Sequence, residues 1–224
     1  MDEVKRKVVM LSLEDLLVPG RVVSRVDKKA IAEILKNLSK LHNEKKLSLY
    51  LVSGMQESVV KKKLMENGFD KYIFPGMLHC ATHHYIGKRT GIDQKRHMKS
   101  LQENPNFNDA YVKVQVADVF LMQGIPRQEI IYFGHDYMTD AFYLHRYCNV
   151  DTALLRPALS MNHVPHKAIK GLIFVNPTWA DFRKVIYGKK KVQSYAILET
   201  MIFSMLKEQL LGDTLLKKYV IKKA

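Results

Sequence analysis

Short runs of consecutive apolar residues alternate along the chain with stretches in which apolar residues recur every three or four positions. Val8-Val9-Met10-Leu11 is the first run, and a strand apolar at every position suits burial on both faces, as in a parallel sheet. A polar turn from Ser12 to Gly20 follows it. Asp27 then reads as an N-cap, with Ala30, Ile31, Ile34, Leu35, Leu38 and Leu41 at helical spacing behind it. Leu47 to Val52 predicts a second strand, Gln56 to Asn67 a helix closed by Gly68, and Lys71 to Phe74 a short strand.

From Pro75 to Tyr111 the periodicity fades into polar sequence containing Gly, His and Asn, which reads as a small inserted segment on the rim of a sheet. Order then resumes: helix over Val114 to Gln123, strand at Ile130 to Phe133, helix at Asp140 to Tyr147, strands at Thr152 to Arg156 and Gly171 to Val175, helix at Pro177 to Tyr187. Strand and helix in alternation predict an α/β fold, a doubly wound and mostly parallel sheet with right-handed crossovers. The expectation is one domain over residues 1–224, an insertion at 75–111 and a C-terminal helical extension at 193–224. In that extension Tyr195, Leu198, Ile202, Met205 and Leu206 share a face, which packs on the domain's own sheet or makes a homodimer contact.

The composition narrows the function classes. At 224 residues and 47% hydrophobic the chain can bury a core, and no apolar run approaches the roughly 18 residues that span a bilayer, so no membrane association is expected. The start leads into a short apolar run and lacks a long apolar region with a cleavage site, which argues against secretion. Two cysteines, Cys80 and Cys148, make no disulfide framework, so a reducing, cytoplasmic setting is expected.

The 36 Lys and Arg exceed the 22 Asp and Glu, for a net charge of +14, spread in short runs. That excess suits either a solvated surface or an anionic partner, RNA or the ribosome among them, although no zinc-finger, RNA-recognition or Gly-rich clamp motif is visible. His79, Cys80, His83 and His84 gather potential metal ligands, but with partners no better than His97 or Cys148 the spacing matches no strong pattern, and no zinc is expected. His163 and His166 read as solvent-exposed loop residues.

In an open parallel sheet, ligands sit at the carboxyl ends of the strands. Three loops there carry polar residues: Ser12-Leu13-Glu14-Asp15-Leu16 after the first strand, Ser53-Gly54 after the second, and Gly134-His135-Asp136-Tyr137-Met138-Thr139-Asp140 after Ile131-Tyr132-Phe133. Together they resemble the first, second and fourth motifs of the haloacid dehalogenase-like superfamily of phosphohydrolases. Under that resemblance Ser12 takes the place of the nucleophilic Asp, Glu14 that of the acid/base Asp, and Leu16 that of Thr. Ser53, with Gly54, matches the phosphate-holding position. Asp136 and Asp140 stand at the spacing of the metal-binding carboxylates, with a backbone carbonyl near Glu14 as a further ligand. The third motif is a Lys ahead of the strand bearing the fourth. Lys113 is the best match by position, with Lys95, Lys99 and Arg127 as substitutes.

The resemblance implies magnesium, more weakly held for want of the nucleophile's carboxylate, since a serine hydroxyl cannot form the aspartyl-phosphate. It implies a catalytically impaired member that binds a phosphorylated small molecule or macromolecule at the former phosphatase site. The alternatives are a magnesium-dependent phosphohydrolase with another nucleophile, Asp15 being the obvious one, and an RNA- or ribosome-associated basic protein. Simpler roles also stand: Asp136 and Asp140 as helix N-terminal residues, and Ser53 as the N-cap of the helix beginning near Gln56. The 75–111 insertion lies where some members carry a cap, and its Lys88, Arg89, Lys95, Arg96 and Lys99 could attract phosphates.

Overall fold

The structure is a computed structural model, described here over residues 3–13, 28–80, 107–134, 136–155 and 172–189. Six parallel strands form one sheet in the order β3-β2-β1-β4-β5-β6. They are β1 (Val8–Ser12), β2 (Ser48–Val52), β3 (Leu78–His79), β4 (Ile130–Gly134), β5 (Asp151–Leu155) and β6 (Leu172–Val175). The chain starts in the middle, winds outward through β2 to β3, then returns to the other side of β1 for β4, β5 and β6. The order therefore reverses between β1 and β4, and it is at the carboxyl ends of strands flanking such a reversal that parallel α/β sheets form a ligand crevice.

Every residue of β1 and of β4 is buried, as their unbroken apolar runs require. Val9, Leu11 and Leu13 point into one core layer with α1 (Lys28–Asn43), α2 (Glu57–Asn67) and α5 (Trp179–Ile186). Val8 and Met10 point into the other, with α3 (Phe107–Met122) and α4 (Tyr143–Cys148). Helices thus cover both faces, and the doubly wound α/β architecture expected from the alternation is the one observed.

Helix α1 buries Ile31, Ile34, Leu35, Leu38 and Leu41, the stripe its spacing predicts. α2 ends where Gly68 turns left-handed at φ 70, so that the Phe69 N–H reaches Leu64 O at 2.9 Å. α5 starts at Thr178, whose hydroxyl accepts the Asp181 N–H at 3.3 Å. The N-terminal segment is locked below the sheet by Arg6, which pairs with Asp151 at 2.7 Å and donates to Gln128 O at 2.8 Å.

Three elements differ from the sequence expectation. Lys71 to Phe74 is not a strand: a 3₁₀ turn runs over Asp70–Tyr72, and Ser39 Oγ donates to Tyr72 O at 2.5 Å. The chain then turns at Gly76, where φ is 87, and only Leu78–His79 joins β2, so this edge strand falls inside the stretch read as an insertion. α3 begins at Phe107 and not at Val114. Its Val112-Lys113-Val114-Gln115-Val116 alternates with period two, which masks a helix that buries Val112, Val114, Val116, Ala117 and Phe120. After β4 the chain takes a π-helical turn over Tyr137–Phe142 before α4. Residues 81–106 and the extension at 193–224, with its dimer face, lie outside the described residues. No helix among the described residues is long and apolar enough to cross a membrane.

Candidate functional site

Ser12 ends β1, 2% exposed, opposite Val52 of β2, and the next amide, Leu13 N–H, is held by Val52 O at 3.1 Å. Continuing the register in which Leu11 faces Phe133 sets Ser12 beside Gly134, the last residue of β4. Ser53 leaves β2 fully buried, with its N–H held by His79 O at 2.9 Å. Its hydroxyl accepts the Met55 N–H at 3.0 Å. The N-cap of α2 is Gln56, so the simple capping role considered for Ser53 does not apply. Gly54 follows in the same turn, exposed.

Under the crevice, α3 supplies Lys113, 3% exposed, whose Nζ meets Asp140 Oδ1 at 2.5 Å and Thr139 Oγ1 at 3.4 Å. Asp140 is fully buried and accepts on both oxygens: Oδ1 also takes the Tyr132 hydroxyl at 3.0 Å, and Oδ2 takes the Asp136 N–H at 3.0 Å. A buried carboxylate needs such partners, because an unpaired one would give up its hydration without return. Asp136 accepts the Thr139 N–H at 2.7 Å and the Thr139 hydroxyl at 3.1 Å, both on Oδ1. It therefore does cap the turn that carries Asp140, while its Oδ2 has no partner among the described residues.

Gly134 is what lets this cluster close. A Cβ added there would lie 2.4 Å from Asp140 Oδ2 and 2.6 Å from Tyr132 Cε1. Gly134→Ala is accordingly expected to lower stability by about 1–3 kcal/mol, the usual effect of overpacking, read as a lower urea midpoint with an unchanged m-value.

The other sequence candidates are placed as follows. Arg127 lies in the 3₁₀ turn entering β4, exposed and at the opposite end of the strand from Gly134, so it cannot stand in for Lys113. Cys80 sits in the core layer of α1 and α2, whereas Cys148 sits in that of α3 and α4, so the sheet separates them and His79–Cys80 gains no ligand from Cys148. Glu14, Asp15, Leu16, His83, His84, Lys88, Arg89, Lys95, Arg96, His97, Lys99, His163 and His166 lie outside the described residues.

Tyr132, Gly134 and Thr139 belong to the cluster and were missed as functional residues. Tyr132 left one signal, a single hydroxyl inside the apolar run Ile130-Ile131-Tyr132-Phe133. Among the described carboxylate oxygens of the cluster, Asp136 Oδ2 is the one left open to a magnesium ion, since both Asp140 oxygens are taken by protein donors.

No protein-family model and no curated protein matches the sequence. Two solved structures resemble it. One is an uncharacterized protein from Listeria monocytogenes serotype 4b, 14% identical, at a TM-score of 0.48, over 82% of this chain and 99% of that one. The other is a 4-nitrophenylphosphatase from Thermotoga maritima, 12% identical, at a TM-score of 0.48, over 81% of this chain and 98% of that one.

Proposed function

We propose that the crevice over β1 and β4 binds a phosphorylated ligand, on a haloacid dehalogenase-like frame that has lost the aspartyl-phosphate route. The observation that carries this reading is the buried Lys113–Asp140 pair below the crevice, with Ser12 at the end of the central strand. In the phosphohydrolase pattern a carboxylate stands at position 12 and attacks phosphorus. A serine hydroxyl there can donate a hydrogen bond to a phosphoryl oxygen but forms no acyl phosphate, and a base would be needed to make it a nucleophile.

The ligand's charge would be met by hydroxyls from Ser12 and Ser53 and by Lys113 at short range. Lys113 is largely neutralised by Asp140, so it lends a hydrogen-bonding ammonium more than a net positive charge. Such a site suits a modest affinity for phosphomonoesters. No step through a metal is assigned, since Asp136 Oδ2 alone among the described carboxylate oxygens of the cluster lacks a protein donor.

The test is isothermal titration with inorganic phosphate, alongside hydrolysis of 4-nitrophenyl phosphate and a panel of phosphomonoesters with and without magnesium. The expected result is saturable phosphate binding, weakened about tenfold in Ser53→Ala, in line with loss of one hydrogen bond to a charged group, with no turnover above background. Turnover that disappears in Asp136→Asn would sink the reading in favour of a phosphohydrolase with another nucleophile. Absence of phosphate binding would sink it as well.

A further inference from the structure

At the amino end of the sheet, away from Ser12 and Gly134, lies a cavity of about 760 Å3, lined by Glu3, Val4, Lys7, Lys45, Lys46, Arg183 and Tyr187. Three separated pieces of chain supply its four cations against one carboxylate: the segment leading into β1, the turn after α1, and the end of α5. Backbone hydrogen bonds fasten these pieces together. Lys5 N–H and Arg6 N–H both bind Ile186 O, at 3.2 and 3.0 Å, and the Ser48 N–H binds Lys7 O at 2.7 Å.

Local pairing does not neutralise the cavity. Lys7 meets Glu3 at 3.3 Å and Lys46 meets Glu44 at 2.6 Å, both solvent-exposed pairs of the kind that exchange readily for a stronger anion. Lys45 and Arg183 form no ion pair with a carboxylate among the described residues; the Arg183 guanidinium lies 5.6 Å from the centroid of the Tyr187 ring. Lys45 and Lys46 follow the carboxyl end of α1, where cations suit the helix dipole. That accounts for two of the four and says nothing of Lys7 or Arg183. Lys45 also stands at φ 55, a left-handed position that glycine takes at less cost.

We propose that this basic cavity is a binding site for the phosphodiester backbone of a single-stranded nucleic acid. Cations brought from three elements to the rim of one hollow suit a chain of phosphates, and the protein's net charge of +14 favours an anion's approach. Tyr187 adds an aromatic ring at the same rim, the usual companion of cations where bases stack. The site lies at the far end of the strands from Ser12 and Gly134, so it stands or falls independently of the phosphate-binding reading.

The test is fluorescence anisotropy of the full chain with a labelled twelve-nucleotide uridine oligomer across a potassium chloride series. Lys45→Gly combined with Arg183→Gln is expected to weaken binding about tenfold at low salt and to reduce the magnitude of the salt slope by about 1.4, two contacts at roughly 0.7 each for a single strand. Lys45→Gly by itself should weaken binding while raising Tm, because glycine relieves the left-handed position, and that opposite pairing separates a lost contact from a damaged fold. A charge-matched control, Lys62→Gln with Arg146→Gln, neutralises two exposed cations on α2 and α4 and should leave the slope unchanged. Equal losses in control and cavity variants would mean attraction to diffuse charge and overturn the proposal, as would no binding of the oligomer at low salt.

Discussion

Asp140→Ala is expected to cost about 3–5 kcal/mol, the range for breaking a buried ion pair by removing one partner. The side chains are 4% and 0% exposed for Lys113 and Asp140, so solvent contact is too small to recover the loss. The alanine would take the carboxylate away from three donors: the Lys113 ammonium, the Tyr132 hydroxyl and the Asp136 N–H. Most of the penalty is the desolvated ammonium, and a variant that also removes it makes this visible. Lys113→Met with Asp140→Leu should recover most of the stability, since an apolar pair of similar volume carries no desolvation cost. Urea unfolding of the single and double variants checks this, and a double variant as unstable as Asp140→Ala would show that the ammonium is not the source of the penalty. The double variant should still lose phosphate binding, which separates the pair's part in the site from its part in the fold.

Phe182→Ala should be comparably damaging, at about 3–5 kcal/mol, for a different reason. The Phe182 ring is fully buried and stacks on Phe133 of β4 with centroids 4.1 Å apart and planes 7° from parallel. Truncation removes the transfer free energy of a whole ring and leaves a cavity between α5 and the sheet that neighbouring Val185 and Ile186 cannot fill without leaving their own contacts. Phe182→Leu should cost clearly less, and a cycle with Phe133→Leu should show a coupling of about 0.5–1.5 kcal/mol from the ring pair. Thermal or urea unfolding reads all three. Equal losses for Phe182→Ala and Phe182→Leu would refute the cavity argument.

Both predictions hang on β4, whose flanking residues were only partly legible from the chain. Ile130 to Phe133 announced a buried strand, and Asp136 and Asp140, four residues apart, announced something at its end. Position in the sequence order singles out Lys113 as the lysine of the third motif, with Lys95, Lys99 and Arg127 as rivals, and says nothing of its pairing with Asp140. Arg127 is set aside by placement alone, because it enters the strand that Gly134 leaves. The role of Gly134 was invisible beforehand: its lack of a Cβ matters only because a π-helical turn brings the Asp140 carboxylate back over it. Likewise Tyr132 looked like one more core residue until its hydroxyl met Asp140.

The sheet edge shows the opposite error. Ile73-Phe74 has the composition of a strand, yet the pair flanks a 3₁₀ turn, and the real edge strand is the two-residue Leu78–His79, too short to leave a periodic signal. Val112 to Val116 misled in the same way, alternating like a strand within a helix.

By itself the sequence determined that strands apolar on both faces alternate with amphipathic helices, and hence a parallel sheet covered on both sides, because periodicity is a local property of the chain and burial enforces it. It also determined which polar residues end the central strands. Only the tertiary structure decided which charges meet. The Lys113–Asp140 pair, the separation of Cys80 from Cys148 by the sheet, and the gathering of Lys7, Lys45, Lys46 and Arg183 round one cavity all join residues far apart in sequence. Such contacts depend on strand order and helix placement, which no local spacing encodes.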